Sequence, residues 1–153
     1  MNAIELKVPP PLVALFAGLV MWLASRVVAP FEASTPLRTA AGIAFGIVGF
    51  SFVVAGFFSF RQARTTINPT KPMATSSLVT AGVYRHTRNP MYLGLLFVLL
   101  GWAAYLGNPA AFLFLPLFVL YINRFQIAPE ERALSLLFGE EFAAYKVQVR
   151  RWI

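Results

Sequence analysis

Twenty-two consecutive residues, Thr39 to Phe60, carry no charge. As an α-helix at about 1.5 Å per residue, such a run is about 33 Å long, enough to cross a hydrocarbon core of ~30 Å. That run confines the rest of the chain to structures that coexist with a bilayer. Composition agrees, because 58% of the 153 residues are hydrophobic and 12% are charged, about half the charged share of a soluble domain. One domain, residues 1–153, and an all-α membrane bundle are therefore expected.

Three further apolar runs complete the bundle. Pro9-Pro10-Pro11 opens the first, expected over residues 12–29, since proline is tolerated where a helix has no partner for its N–H. Its start is too weakly basic, and its end too unlike a cleavage site, for a removable signal, so it is read as a retained span. Arg26 can snorkel to the interface, and Ser34 or Thr35 can cap the second helix. In the 39–60 run Gly42, Gly46 and Gly49, with Ala44 among them, form a small-residue ridge, and Gly42-x-x-x-Gly46 lets another helix approach closely. The third span is expected over 91–106 and the fourth over 110–128, antiparallel across Gly107-Asn108-Pro109, with Pro116 as a kink.

The basic residues set the orientation. Arg61, Arg64, Lys71, Arg85 and Arg88 lie in the connection 61–90, and Arg124, Arg132, Lys146, Arg150 and Arg151 follow the hairpin turn. Arg26 and Arg38 fall on the other side. Four spans with both termini cytoplasmic follow from the positive-inside rule. The net charge of +7 then belongs to a membrane face rather than to nucleic acid. No cysteine and one histidine argue against a metal site.

The connection 61–90 is long for so small a bundle and is read as an ordered loop that folds back, with Asn68-Pro69-Thr70-Lys71-Pro72 barred from regular helix. After Pro129 the chain turns amphipathic. Glu130 to Phe138 reads as a short helix ended by Gly139. Phe142, Tyr145, Val149 and Trp152 form the apolar stripe of another. This tail, 129–153, is expected to pack on the bundle or lie on the bilayer.

Two polar islands, residues 78–94 and 129–132, would meet at the cytoplasmic end of the hairpin. Arg85, His86, Arg88, Asn89, Glu130 and Glu131 would then share a pocket walled by Tyr84 and Tyr92, suited to a polar, partly charged aromatic molecule. Each residue also has a plainer role. Asn89 is a natural N-cap for the third helix. Glu130 and Glu131 suit a helix's first turn. Arg85 and Arg88 can anchor the positive side, and His86 can face the interface. Tyr145 and Trp152 read as packing aromatics.

Gly82-Val83-Tyr84-Arg85-His86-Thr87-Arg88-Asn89-Pro90-Met91-Tyr92-Leu93-Gly94 resembles the signature of the isoprenylcysteine carboxyl methyltransferase and phospholipid methyltransferase superfamily. Glu130-Glu131-Arg132-x-Leu134, Phe138-Gly139, Tyr145, Val149 and Arg151-Trp152 resemble its C-terminal pattern. Asn89 stands where the family places histidine, and Val83 where it places proline. The resemblance implies a membrane methyltransferase that uses S-adenosylmethionine, leaves S-adenosylhomocysteine, and takes a lipophilic or small acceptor (a carboxylate, amine or thiol) from the bilayer. It implies cofactor contacts from Leu78, Thr80, Gly82, Tyr84, Arg88, Asn89, Pro90, Tyr92, Gly94 and Glu130. Glu131 would orient or deprotonate the acceptor, and Arg132 or Arg124 would hold an anionic one. The membrane would be the inner membrane of a prokaryote or the endoplasmic reticulum of a eukaryote. A membrane reductase with a similar C-terminal hairpin and a non-enzymatic small bundle are the rival readings.

Overall fold

The computed structural model describes residues 5–63, 73 and 75–153. The Asn68–Pro72 segment, Arg64 and Lys71 lie outside them. The described residues are helical, with no strand among them. The helices are α1 (Pro10–Ala24), α2 (Thr35–Gln62), α3 (Pro90–Leu106), α4 (Pro109–Phe112), α5 (Phe114–Ile122) and α6 (Ala128–Gln148). Successive long helices run antiparallel, so residues 5–11, the end of α2, the start of α3 and the start of α6 gather at one end. This is an all-α membrane bundle with an amphipathic tail.

Two of the helical stretches are long and apolar enough to cross a membrane. They are Thr35–Gln62, 28 residues, and the continuous run Pro109–Gln148, 40 residues. The other two are shorter, 15 and 17 residues for α1 and α3, or about 22 and 26 Å. The first helix stops at Ala24, five residues before the expected end at 29. Ser25 Oγ bonds back to the Trp22 carbonyl at 2.7 Å, and the carbonyls of Ser25 and Val28 are taken by the Asn108 side chain. The chain therefore leaves the helix to meet the hairpin turn.

α1, α3 and α5 share one core, with Met21, Leu99, Ala103, Phe118 and Ile122 buried in it. α2 packs on the other face of α3 through glycines, flanked by Phe45 and Phe52, which stack on Phe97. A Cβ on Gly49 would collide with the Gly94 carbonyl, and one on Gly101 with that of Gly42. Two backbones approach here as only glycine permits. All three glycines of the expected ridge meet α3, Gly46 by its amide, 3.2 Å from a Cβ built on Gly101. A Cβ on Gly46, the other half of the expected motif, would meet nothing within 4 Å. Outside, Leu15, Phe50 and Leu120 are mostly exposed, as a lipid-facing surface requires.

Two prolines shape the last helical run by removing donors. Pro116 leaves the Phe112 carbonyl without its helical partner, and the helix breaks at Leu113, between α4 and α5. Pro129 does the same for the Phe125 carbonyl. A π-turn over Asn123–Ile127 absorbs the defect, and the Leu6 amide fills the freed carbonyl at 3.1 Å. Pro129 therefore opens no separate helix. α5 runs through the π-turn into α6, and the interruption comes at Gly139, with φ 47° and ψ −116°.

The tail packs on the protein. Phe142, Tyr145 and Val149 form a cluster with Leu78, Leu134 and Phe138. Residues 149–152 then run extended beside Thr87–Asn89, where the Arg88 amide bonds to the Arg150 carbonyl at 3.0 Å.

Candidate functional site

A cavity of about 280 Å³ opens where the two polar islands meet. The hairpin of α3 and α5 puts Arg88 and Glu131 side by side, 2.9 Å apart. Arg151 holds the other Glu131 oxygen at 2.5 Å. Arg88 also donates to the carbonyls of Lys146 and Val149. One arginine thus ties the loop, α6 and the C-terminal segment together. Burial would raise the Glu131 pKa, but the bonds from Arg151 and Arg88 outweigh it and hold the carboxyl below its ordinary range.

Glu130 is in the opposite situation. It lines the cavity, and the Tyr92 hydroxyl donates to its Oε1. No cation pairs with it among the described residues. Burial pushes its pKa up to about 8. The Tyr92 bond opposes that shift and the neighbouring Glu131 adds to it. Two adjacent carboxyl groups are therefore driven apart, one fixed as an anion between guanidiniums and one able to exchange a proton near neutrality.

The walls are aromatic. Phe60 packs edge-on against Tyr84, and Tyr145 donates its hydroxyl to the Tyr84 carbonyl at 2.7 Å. Burial raises the Tyr84 phenol, with Glu130 contributing, and burial raises Tyr145 to about 12. Both stay neutral. Phe60, Tyr84, Phe142 and Tyr145 all face the cavity.

Of the residues singled out in the sequence, Leu78, Tyr84, Arg88, Asn89, Tyr92, Glu130 and Glu131 line the cavity. Thr80, Gly82, Pro90, Gly94 and Arg132 do not. Thr80 is exposed beyond Leu78. Gly82, at φ +62°, starts a 3-10 turn against Ser59. Pro90 is the buried first residue of α3, and Gly94 lies on Gly49. Arg132 bonds to Glu5 at 2.6 Å and Arg124 bonds to the same carboxylate at 3.1 Å. His86 and Arg85 are exposed and outside the cavity. Asn89 starts α3, but its side chain caps nothing. Its Nδ2 donates to the Arg151 carbonyl at 2.9 Å. Sequence reasoning missed Pro10, Pro11, Val53, Thr75, Ser77 and Leu95, which also line the cavity. These apolar and small residues carry no local signal and are collected only by the fold. Tyr145 and Phe142 read as packing residues, and they both pack and line the cavity.

A second hollow, of about 1,020 Å³, lies between α1 and α2 over α3. Its lining is almost wholly apolar, with Leu15, Ile43, Gly46, Val98 and Trp102 among it. Pro11 and Leu95 line both spaces.

The side chains suit a small molecule that carries a cationic group and an aromatic ring. Glu130 offers a carboxyl group with no cation beside it among the described residues, and the aromatic walls offer stacking faces. Among the described residues, no three metal-ligating side chains gather.

Comparison with known proteins gives the family. The phospholipid methyltransferase family matches residues 37–141. An uncharacterized protein of Haemophilus influenzae is 52% identical over 63 residues, which is 41% of this chain and the whole of that protein. Protein-S-isoprenylcysteine O-methyltransferase of Rattus norvegicus is 31% identical over 111 residues, 72% of this chain and 39% of that protein. The Homo sapiens protein of the same name is 37% identical over 75 residues, 49% of this chain and 26% of that protein. The chain thus spans well under half of the two named methyltransferases. No solved structure matches it. The matched stretch takes in α2, the Arg88–Asn89 loop, the hairpin and both glutamates, and by it the chain belongs to the phospholipid methyltransferase family.

Proposed function

We propose that this chain is an S-adenosylmethionine-dependent methyltransferase working at the cytoplasmic face of a membrane that it crosses several times, with both termini on that face. The observation that carries this reading is the cavity-facing Glu130, with its Tyr92 partner and no cation beside it among the described residues, set among aromatic walls and next to an apolar hollow that shares Pro11 and Leu95 with the cavity. The cofactor would supply an already activated methyl group on a sulfonium. The protein's work is then to orient the acceptor in line and exclude water, effects that supply roughly 7–11 kcal/mol in favourable cases.

Glu130 and Tyr92 take the cationic end of the cofactor. Tyr84, Phe60 and Phe142 offer faces to its base. Arg88 and Asn89 keep the C-terminal segment over the site. Glu131, with both oxygens on arginines, orients the site electrostatically. The acceptor is a lipophilic molecule whose apolar part lies in the hollow between α1 and α2 while its nucleophilic head, a carboxylate, amine or thiol, enters the cavity. Titration of detergent-purified protein with S-adenosylhomocysteine tests the cofactor. Binding that is lost in Glu130→Ala supports it, and no heat with the wild-type chain sinks it. Radiolabelled methyl transfer to fractionated lipids and small thiols then identifies the acceptor.

A further inference from the structure

Residues 5–9 take no part in any helix, yet they are bound to the protein more firmly than an exposed strap requires. Glu5 is 5% exposed. Its two oxygens are held by Arg124 and Arg132. The Leu6 amide bonds to the Phe125 carbonyl, and Leu6 sits at φ 60°, a conformation a leucine adopts only when its surroundings enforce it. Fully buried Gln126 donates to the Val8 carbonyl at 2.7 Å. Three of these four partners belong to the π-turn, and Arg132 lies one residue beyond Glu131.

The strap ends in Pro9-Pro10-Pro11. Prolines fix their own φ, so the hold on Val8 is passed through Pro9 to Pro10 and Pro11, the first turn of α1. Those two residues form one wall of the cavity, and Pro11 also borders the apolar hollow. No residue between Glu5 and Pro11 belongs to the motifs of the two polar islands.

We propose that Glu5 is a positioning residue. Its pairing with Arg124 and Arg132 latches the strap to the π-turn and holds the Pro10–Pro11 wall, whose Pro11 also lines the hollow; release of the latch loosens that wall. That an acceptor passes this wall rests on the methyltransferase reading, whereas the latch itself does not.

The natural chain has no cysteine, so one introduced thiol reports on the strap alone. Leu6→Cys places it under the latch, and Ala103→Cys, in the fully buried core, controls for global opening. Maleimide labelling of Leu6→Cys in detergent should accelerate about tenfold when Glu5→Gln is added, with Ala103→Cys unchanged by the same addition. Arg124→Gln, which removes one of the two guanidiniums, should give an intermediate rate and keeps the test open if Glu5→Gln does not fold. S-adenosylhomocysteine should dissociate about tenfold faster from Glu5→Gln, while Glu5→Asp recovers part of the wild-type rate. Equal labelling of Leu6→Cys with and without the second substitution overturns the latch, as does acceleration at both cysteines together. If the wild-type chain binds no S-adenosylhomocysteine, the cofactor reading falls, and the labelling rates still decide the latch.

Discussion

The bundle starts two of its helices with the same dipeptide, at opposite ends. Asn108-Pro109 begins α4 at the end away from the site, and Asn89-Pro90 begins α3 beside it. Asn108 behaves as an isolated cap would. Its Oδ1 accepts from the Ala110 amide at 2.9 Å, and its Nδ2 ties the end of α1 through the Val28 carbonyl. At the same turn Arg38 reaches the Leu106 carbonyl at the C-terminus of α3, where a cation is favoured. Those side-chain bonds end on main chain. Asn89 caps nothing and reaches instead across the site to Arg151, and its neighbours Arg88, Glu131 and Arg151 bond to one another. One end ties segments 68 to 83 residues apart through side-chain bonds to main-chain carbonyls. The other adds ion pairs between charged side chains to bonds of that kind, and does so around a cavity.

The largest effect expected at either end comes from Arg88→Ala. It removes one cation from Glu131 and strips two carbonyls of their donor. Breaking a mostly buried pair of this kind costs about 3 kcal/mol. The variant should melt well below the wild type and lose S-adenosylhomocysteine binding altogether. A variant that keeps both would remove Arg88 from the centre of the site. Next comes Asn108→Ala, with one cap and its bonds to the end of α1 lost, about 2 kcal/mol in stability. Because the damage is confined to the far end, ligand affinity measured below the melting range should stay within about twofold. A large loss of affinity would mean the two ends are coupled.

The two carboxylates give a pH test. An unfolded Glu130 titrates near 4.5 and the folded one near 8, so the folded state holds the extra proton between those values. Its contribution to stability is full below about 4.5 and is lost as pH rises through about 8. A cationic ligand prefers the ionised form, so its binding must expel that proton. Affinity should therefore rise by up to about tenfold between pH 6 and 7, and titrations in buffers of different ionisation heat should register proton release. Glu130→Gln should flatten both. Glu131, already held ionised by its arginines, adds no slope in this range, so a slope that survives Glu130→Gln would assign the proton elsewhere.

What could be read in the sequence follows the range of the forces involved. Apolar length, the hairpin turn and the break at Gly139 are local properties, and they located the helices and the meeting of the two islands. The end of α1 is not legible locally, because Val27 and Val28 are apolar enough to continue a span, while the side chain that takes the Val28 carbonyl, Asn108, lies 80 positions away. Among Gly42, Gly46 and Gly49, register against α3 closes the space above Gly42 and Gly49 and leaves it open above Gly46, which spacing alone does not tell. Glu5 carries no signal of its own in the sequence. Nothing near it in sequence indicates the two arginines that bury it, and the free carbonyl that draws in Leu6 comes from a proline at position 129.

The smallest predicted effect is the most specific to the site end. Asn89→Ala removes one neutral hydrogen bond to a carbonyl, about 1 kcal/mol, with no helix cap lost, because none is made. The C-terminal segment should loosen while the bundle stays intact. The Arg88 amide, bonded to the Arg150 carbonyl, reports on that loosening. Its hydrogen exchange should quicken about fivefold, with amides in the middle of α3 unchanged. Asn89→His keeps a ring N–H able to reach the Arg151 carbonyl and should restore slow exchange. If Asn89→Ala instead frays the first turn of α3 and leaves the Arg88 amide protected, then Asn89 is a cap like Asn108, and the difference between the two ends lies in Arg88 and the glutamates alone.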